Sequence, residues 1–131
     1  MADLFSDAWM QKFMQEWNNE PELSGALAEI GFNSTIAYGV EGEAVPRGFI
    51  KVENGKVAEA GSYGGSDVNW DMRASEDSWN KWISSGIGMT KLGLAAASGK
   101  LKFKTGDYGA MLKNPKMAAP FIKSFDVMGR V

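Results

Sequence analysis

The 131-residue chain contains no cysteine and no histidine. The first absence removes disulfides, thiolate nucleophiles and thiolate metal sites. The second removes the usual general base and the commonest transition-metal ligand. Neither sign of charge is in excess: 14 basic and 16 acidic residues leave a formal net charge of -2, so no global field draws the protein to nucleic acid or to an anionic membrane. No apolar run approaches the roughly 18 residues of a membrane span. The N-terminus has neither the basic nor the apolar region of a secretion signal, and Met128-Gly129-Arg130-Val131 is not a peroxisomal address. The expectation is one cytoplasmic domain over residues 1–131, with no metal and no cofactor.

What is plentiful is apolar wall material. The chain has eight Met, five Trp, seven Phe and three Tyr. Methionine is flexible and fills irregular space, so it is over-used at adaptable binding surfaces. Many large apolar side chains beside few catalytic groups favour a binding module over an enzyme.

Residues 3–18 read as a helix, because Phe5, Trp9, Phe13 and Trp17 recur every fourth position with Met10 and Met14 beside them. This N-terminal aromatic helix, within residues 1–20, is either core packing or one wall of an apolar cavity. Glu20-Pro21 stops it. A second short helix is expected over 22–31, with Leu23, Leu27 and Ile30 on one side and Gly31 at its end. From Ser34 the period becomes two. Strands are expected over 34–40, 48–53, 56–63 and 67–73, with Asn54-Gly55 as a hairpin turn. Four consecutive short strands suggest an antiparallel meander. Ser75 caps a helix that carries Trp79, Trp82 and Ile83 and ends at Gly86. A small helix over 90–98 leads to a fifth strand, where Lys100, Lys102 and Lys104 alternate with Leu101 and Phe103. Asp107 caps a short helix reaching Leu112, and Asn114-Pro115 starts the last helix, 114–128, which Pro120 is expected to kink or break.

Known chemical motifs are scarce. The glycine-rich stretch 61–67 matches neither a phosphate loop nor a dinucleotide fingerprint. Asp67, Asp71, Glu76 and Asp77 lack calcium-loop spacing. The lysines, with Lys91, form a basic strip without interleaved aromatics, which argues against nucleic acid. They read as a solvated strand face, with attraction of an anionic head group or membrane surface as the alternative.

Several stretches together resemble the sterol carrier protein 2 family. They are Asp67-Val-Asn-Trp70-Asp-Met72-Arg-Ala-Ser75, then Trp79-Asn-Lys-Trp82-Ile83 with Gly86, the alanines at 95–97, Gly99-Lys100-Leu101-Lys102, Gly106-Asp107 and the closing helix. The resemblance spans roughly residues 30–128. It implies an α+β fold in which a five-stranded, mainly antiparallel sheet carries helices on one face and encloses a hydrophobic tunnel. It also implies non-catalytic binding of a fatty acid, fatty acyl-CoA, sterol or similar lipid. Trp79, Trp82, Ile83, Leu101 and Phe103 fall on the family pattern. Met89, Leu92 and Met111 complete the expected cavity wall, with Met117, Phe121 and Phe125 on a C-terminal helix that lids it over the Leu101/Phe103 face. The partner is then a hydrophobic small molecule, with transient contact to a membrane surface or partner enzyme. The competing expectation is an accessory protein that docks an enzyme of hydrophobic-substrate metabolism through its aromatic N-terminal helix. A hydrolase is disfavoured for want of His and Cys.

Overall fold

The computed structural model describes residues 3–131, so residues 1–2 of the expected N-terminal segment lie outside the described residues. Helix α1, Asp7–Asn18, starts where Ser6 accepts a hydrogen bond from the Trp9 amide at 3.3 Å. That is later than the start at residue 3 that the stripe suggested. Just ahead of the cap, Phe5 adopts a left-handed backbone with φ of 60°. Such a conformation costs a non-glycine residue on the order of 1–3 kcal/mol. It drops the ring, fully buried, among Trp9, Tyr38 and Trp79. The expected second helix is split. Pro21–Gly25 makes one π-helical turn, and α2 continues only over Ala26–Glu29. Leu23 and Leu27 are nonetheless both buried.

The sheet comprises β1 (Ser34–Val40), β2 (Gly48–Glu53), β3 (Lys56–Ser62), β4 (Trp70–Ala74) and β5 (Lys102–Thr105), in the order β3-β2-β1-β4-β5. The first three strands form the expected antiparallel meander, with Asn54 and Gly55 both at positive φ in the hairpin. Gly55 has a second reason to be glycine: a Cβ there would collide with the backbone of Ser24 and Ala28. The fourth strand corrects the sequence reading. β4 does not continue the meander beside β3 but crosses over and pairs parallel with β1. Asn69 directs this, since its amide donates to the Thr35 carbonyl and its Oδ1 accepts from the Thr35 amide, both at 2.8 Å. That bracket also delays the strand from Asp67 to Trp70. β5 pairs antiparallel with β4, so the sheet remains mainly antiparallel.

The remaining helices are α3 (Glu76–Ser85), α4 (Met89–Ala97), α5 (Tyr108–Lys113) and α6 (Pro115–Met128). Ser75, Asp107 and Asn114 cap α3, α5 and α6 through their side chains, as their positions predicted. Pro120 does not break α6, which runs through it uninterrupted. Phe125, Val127 and Met128 are buried beyond it and hold the helix on course. Proline still removes one helical N–H there and leaves a carbonyl one turn back without its partner.

One face of the sheet carries Ile36, Tyr38, Ile50, Val52 and Met72 toward the helices. The core is densest around Trp79, whose ring lies 5.0 Å from Phe5, 6.2 Å from Tyr38, 5.6 Å from Trp82 and 6.1 Å from Phe125. Its Nε1 donates to the Gly39 carbonyl at 2.9 Å. On the opposite face, Arg73 is only 3% exposed. Its Nε lies 2.7 Å from Asp71 Oδ1, and its Nη1 donates to the Glu43 carbonyl at 2.8 Å, which pins the β1–β2 loop onto the sheet. A buried pair loses most when one partner is removed and the other stays charged. Arg73→Ala should therefore cost about 3 kcal/mol and lower the urea midpoint at unchanged slope. Arg73→Met, which keeps the apolar stem over Gly39, should cost less. Equal midpoints for Arg73→Ala and wild type would show that the loop holds without the pair.

Candidate functional site

An apolar cavity lies at the end of the helix layer away from Trp79. Its floor is Ile36 of β1 with Trp70 and Met72 of β4. Trp17 of α1, Leu23 of the π turn, Leu27 of α2 and Phe32 close one side. Met111 of α5 and Met117, Pro120 and Phe121 of α6 form the roof. No lining residue carries a charge. Trp17, the last ring of the α1 stripe, donates its Nε1 to the Gly55 carbonyl at 2.9 Å, so its polar edge is satisfied away from the cavity. The free volume is about 40 Å³, enough for a few waters by size. Ligand sites run to roughly 300–1,000 Å³. The ligand-sized tunnel expected from the sequence is not seen among the described residues; the space found there is this small apolar cavity.

Of the residues expected to line the site, Met111, Met117 and Phe121 lie on the cavity wall. Phe103 sits one layer back, its ring 5.9 Å from Trp70 and 6.4 Å from Phe121. Trp79, Trp82, Leu92, Leu101 and Phe125 are buried in the close-packed core instead, and Ile83 packs partly buried against it. Met89 is 47% exposed at the start of α4. The sequence reading missed Leu23, Leu27, Phe32, Ile36, Trp70, Met72 and Pro120 as cavity residues. Periodicity had marked most of them as buried faces, but it carries no information on which buried face borders empty space. The aromatic stripe of α1 is not a docking surface, because Phe5, Trp9, Phe13 and Trp17 are all buried.

Outside the roof, a surface groove of about 350 Å³ runs between α2 and α6, lined by Ala26, Glu29, Lys116 and Ala119 among others. Pro120 lines both this groove and the inner cavity, so the wall between them is one residue thick there. A polar clasp spans the groove. Lys123 lies 3.1 Å from Glu22 and 3.9 Å from Glu20, and Arg130 lies 2.9 Å from Glu20. The hydrogen bond from Arg130, then that from the Glu22 amide, hold the Glu20 carboxyl below its ordinary 4.5. The clasp therefore stabilises the fold fully above that ordinary value, and its contribution is lost as pH falls through the lowered folded value. The melting-temperature gap between wild type and Glu20→Gln should be open at neutral pH and close on acidification through the carboxylate range. A gap that is constant with pH would assign the effect to something other than the charge.

No protein-family model matches the sequence, and no curated protein sequence matches it. Solved structures do. A crystal structure of sterol carrier protein 2 superposes with a TM-score of 0.78 at 18% identity, covering 98% of this chain and 99% of that one. The solution structure of a conserved hypothetical protein from Thermus thermophilus gives 0.75 at 17% identity, covering 98% and 89%. The UbiJ-SCP2 ubiquinone synthesis protein gives 0.62 at 14% identity, covering 95% and 90%. At these identities the likeness is one of fold, and over nearly its whole length this chain has the fold of sterol carrier protein 2.

Proposed function

We propose that the protein binds a long aliphatic lipid, of the fatty acid, fatty acyl-CoA or sterol class, between β1/β4 and the α5–α6 roof. It carries the lipid in the cytoplasm without catalysing a reaction. The observation that supports this reading most is the wall itself, apolar on every side and contributed by α1, α2, both central strands and the two C-terminal helices. Each methylene taken from water onto such a wall gains about 0.8 kcal/mol, so a long chain binds without a charged contact.

Entry requires the cavity to grow. Three of its side chains, Met72, Met111 and Met117, are methionines, whose unbranched thioethers repack readily. The first half of α6 is the movable lid. Pro120 weakens its hydrogen-bond ladder, its outer side borders the α2 groove, and its far end is anchored by Phe125 and Met128. A second reading is that the bound lipid is presented to a partner enzyme. It draws on the likeness to a ubiquinone synthesis protein, and it places the enzyme contact elsewhere than the buried aromatic stripe.

Two of the five tryptophans, Trp17 and Trp70, line the cavity. Adding a long-chain fatty acid should change the intrinsic fluorescence saturably, and the Trp17→Phe/Trp70→Phe variant should lose most of the change while still binding. Phe121→Ala should speed ligand release with the sheet intact. Phe125→Ala should act mainly on stability, by about 3–5 kcal/mol. Esters and thioesters should be hydrolysed no faster than in buffer. Failure of every long-chain ligand to displace a fluorescent fatty acid would falsify the carrier reading.

A further inference from the structure

Between Ser78 and Gly106 the chain has five lysines and no acidic residue, although the whole chain is net negative. Lys102 is paired, 2.6 Å from Glu41. Lys81, Lys91 and Lys100 are exposed, and none lies within 4.0 Å of a carboxylate oxygen among the described residues. These three lysines rim a shallow groove of about 380 Å³ between α3 and α4, with Trp82 and Ala95 at its base. Acids flank it rather than line it: Asp126 lies beside Gly86 at one end, and Glu76 and Asp77 precede Ser78 in the first turn of α3. On α4, Leu94 at the edge of the groove is 64% exposed and Met89 at the helix start 47%, and the helix bears no charge other than Lys91.

We propose that this face docks onto an anionic lipid bilayer. α4 lies in the membrane plane, Leu94 and Met89 enter the head-group region, and Lys81, Lys91 and Lys100 meet the lipid phosphates and carboxylates. Exposed apolar side chains ringed by unpaired cations are what a membrane interface rewards on both counts: apolar surface leaves water while the lysines neutralise surface charge. A soluble anion would want donors converging in a closed niche, and these lysines are spread around an open groove. A single-stranded nucleic acid would want exposed rings to stack on, and Trp82, the aromatic residue in the groove, is buried. The inference does not depend on the internal cavity and holds or fails separately from it.

The test is sedimentation with phosphatidylcholine vesicles, with and without phosphatidylserine, using the full chain. The wild type should bind the phosphatidylserine vesicles, lose most of that binding in high salt, and bind phosphatidylcholine alone weakly. Lys81→Gln/Lys91→Gln/Lys100→Gln should weaken binding at least about tenfold, and Leu94→Ser should weaken it several-fold at low and high salt alike. Lys12→Gln/Lys51→Gln/Lys56→Gln removes the same charge from other exposed positions and should bind like wild type. Free glycerophosphoserine should not compete, because the bilayer and not the isolated head group is recognised. The proposal is overturned if the wild type ignores phosphatidylserine, if the control triple loses as much as the groove triple, if the soluble head group competes, or if a single-stranded oligonucleotide binds the same lysines more tightly.

Discussion

The indole of Trp79 holds the helix layer to the sheet. It is wholly buried, bonded to the Gly39 carbonyl at 2.9 Å, and flanked by rings from the turn before α1 and from β1, α3 and α6. The strained backbone at Phe5 is tolerated because its ring completes this cluster. Aromatic pairs at these separations contribute beyond their buried area, and flat rings locked by several neighbours leave little freedom to repack. Whatever flexibility the helix layer has must therefore lie elsewhere.

The opposite end is built differently: its contacts are made by Met72, Met111 and Met117 with leucines from the π turn and α2. Helix α6 spans the two regimes. Its second half is fastened to Trp79 and Trp82 through Phe125, while its first half, interrupted in its hydrogen bonding by Pro120, roofs the cavity. In the proposed function, this one helix combines a fixed end with a movable one. A cavity of about 40 Å³ is consistent with a site that its own side chains fill until a ligand displaces them. The clasp of Glu20 and Glu22 with Lys123 and Arg130 ties the C-terminal segment to the π turn from outside.

Much of this was legible in the sequence. Side-chain caps at Ser75, Asp107 and Asn114, the Asn54-Gly55 hairpin and the period-two runs depend on neighbouring residues and read directly. The parallel pairing of β4 with β1 did not, because it depends on Asn69 meeting Thr35 across 34 positions, a contact with no local signature. The cavity was legible only in part. Met111, Met117, Phe121 and the stripe residue Trp17 were singled out and do border it. Trp79, Trp82 and Phe125 have the same apolar periodicity but sit where aromatic rings fill the space completely. Spacing along a helix reports which side is dry. Whether that side meets a close-packed ring or a gap depends on residues far away in the chain.

The central claim, that ligand enters the methionine end while the aromatic end stays fixed, is tested most directly by methyl NMR of the protein labelled at its methionines. Titration with a long-chain fatty acid should shift the methyl signals of Met72, Met111 and Met117 in saturable fashion. Those of Met10 and Met128, buried against the aromatic cluster, should hardly move. Shifts confined to Met10 and Met128, or spread equally over all the methyls, would contradict the account.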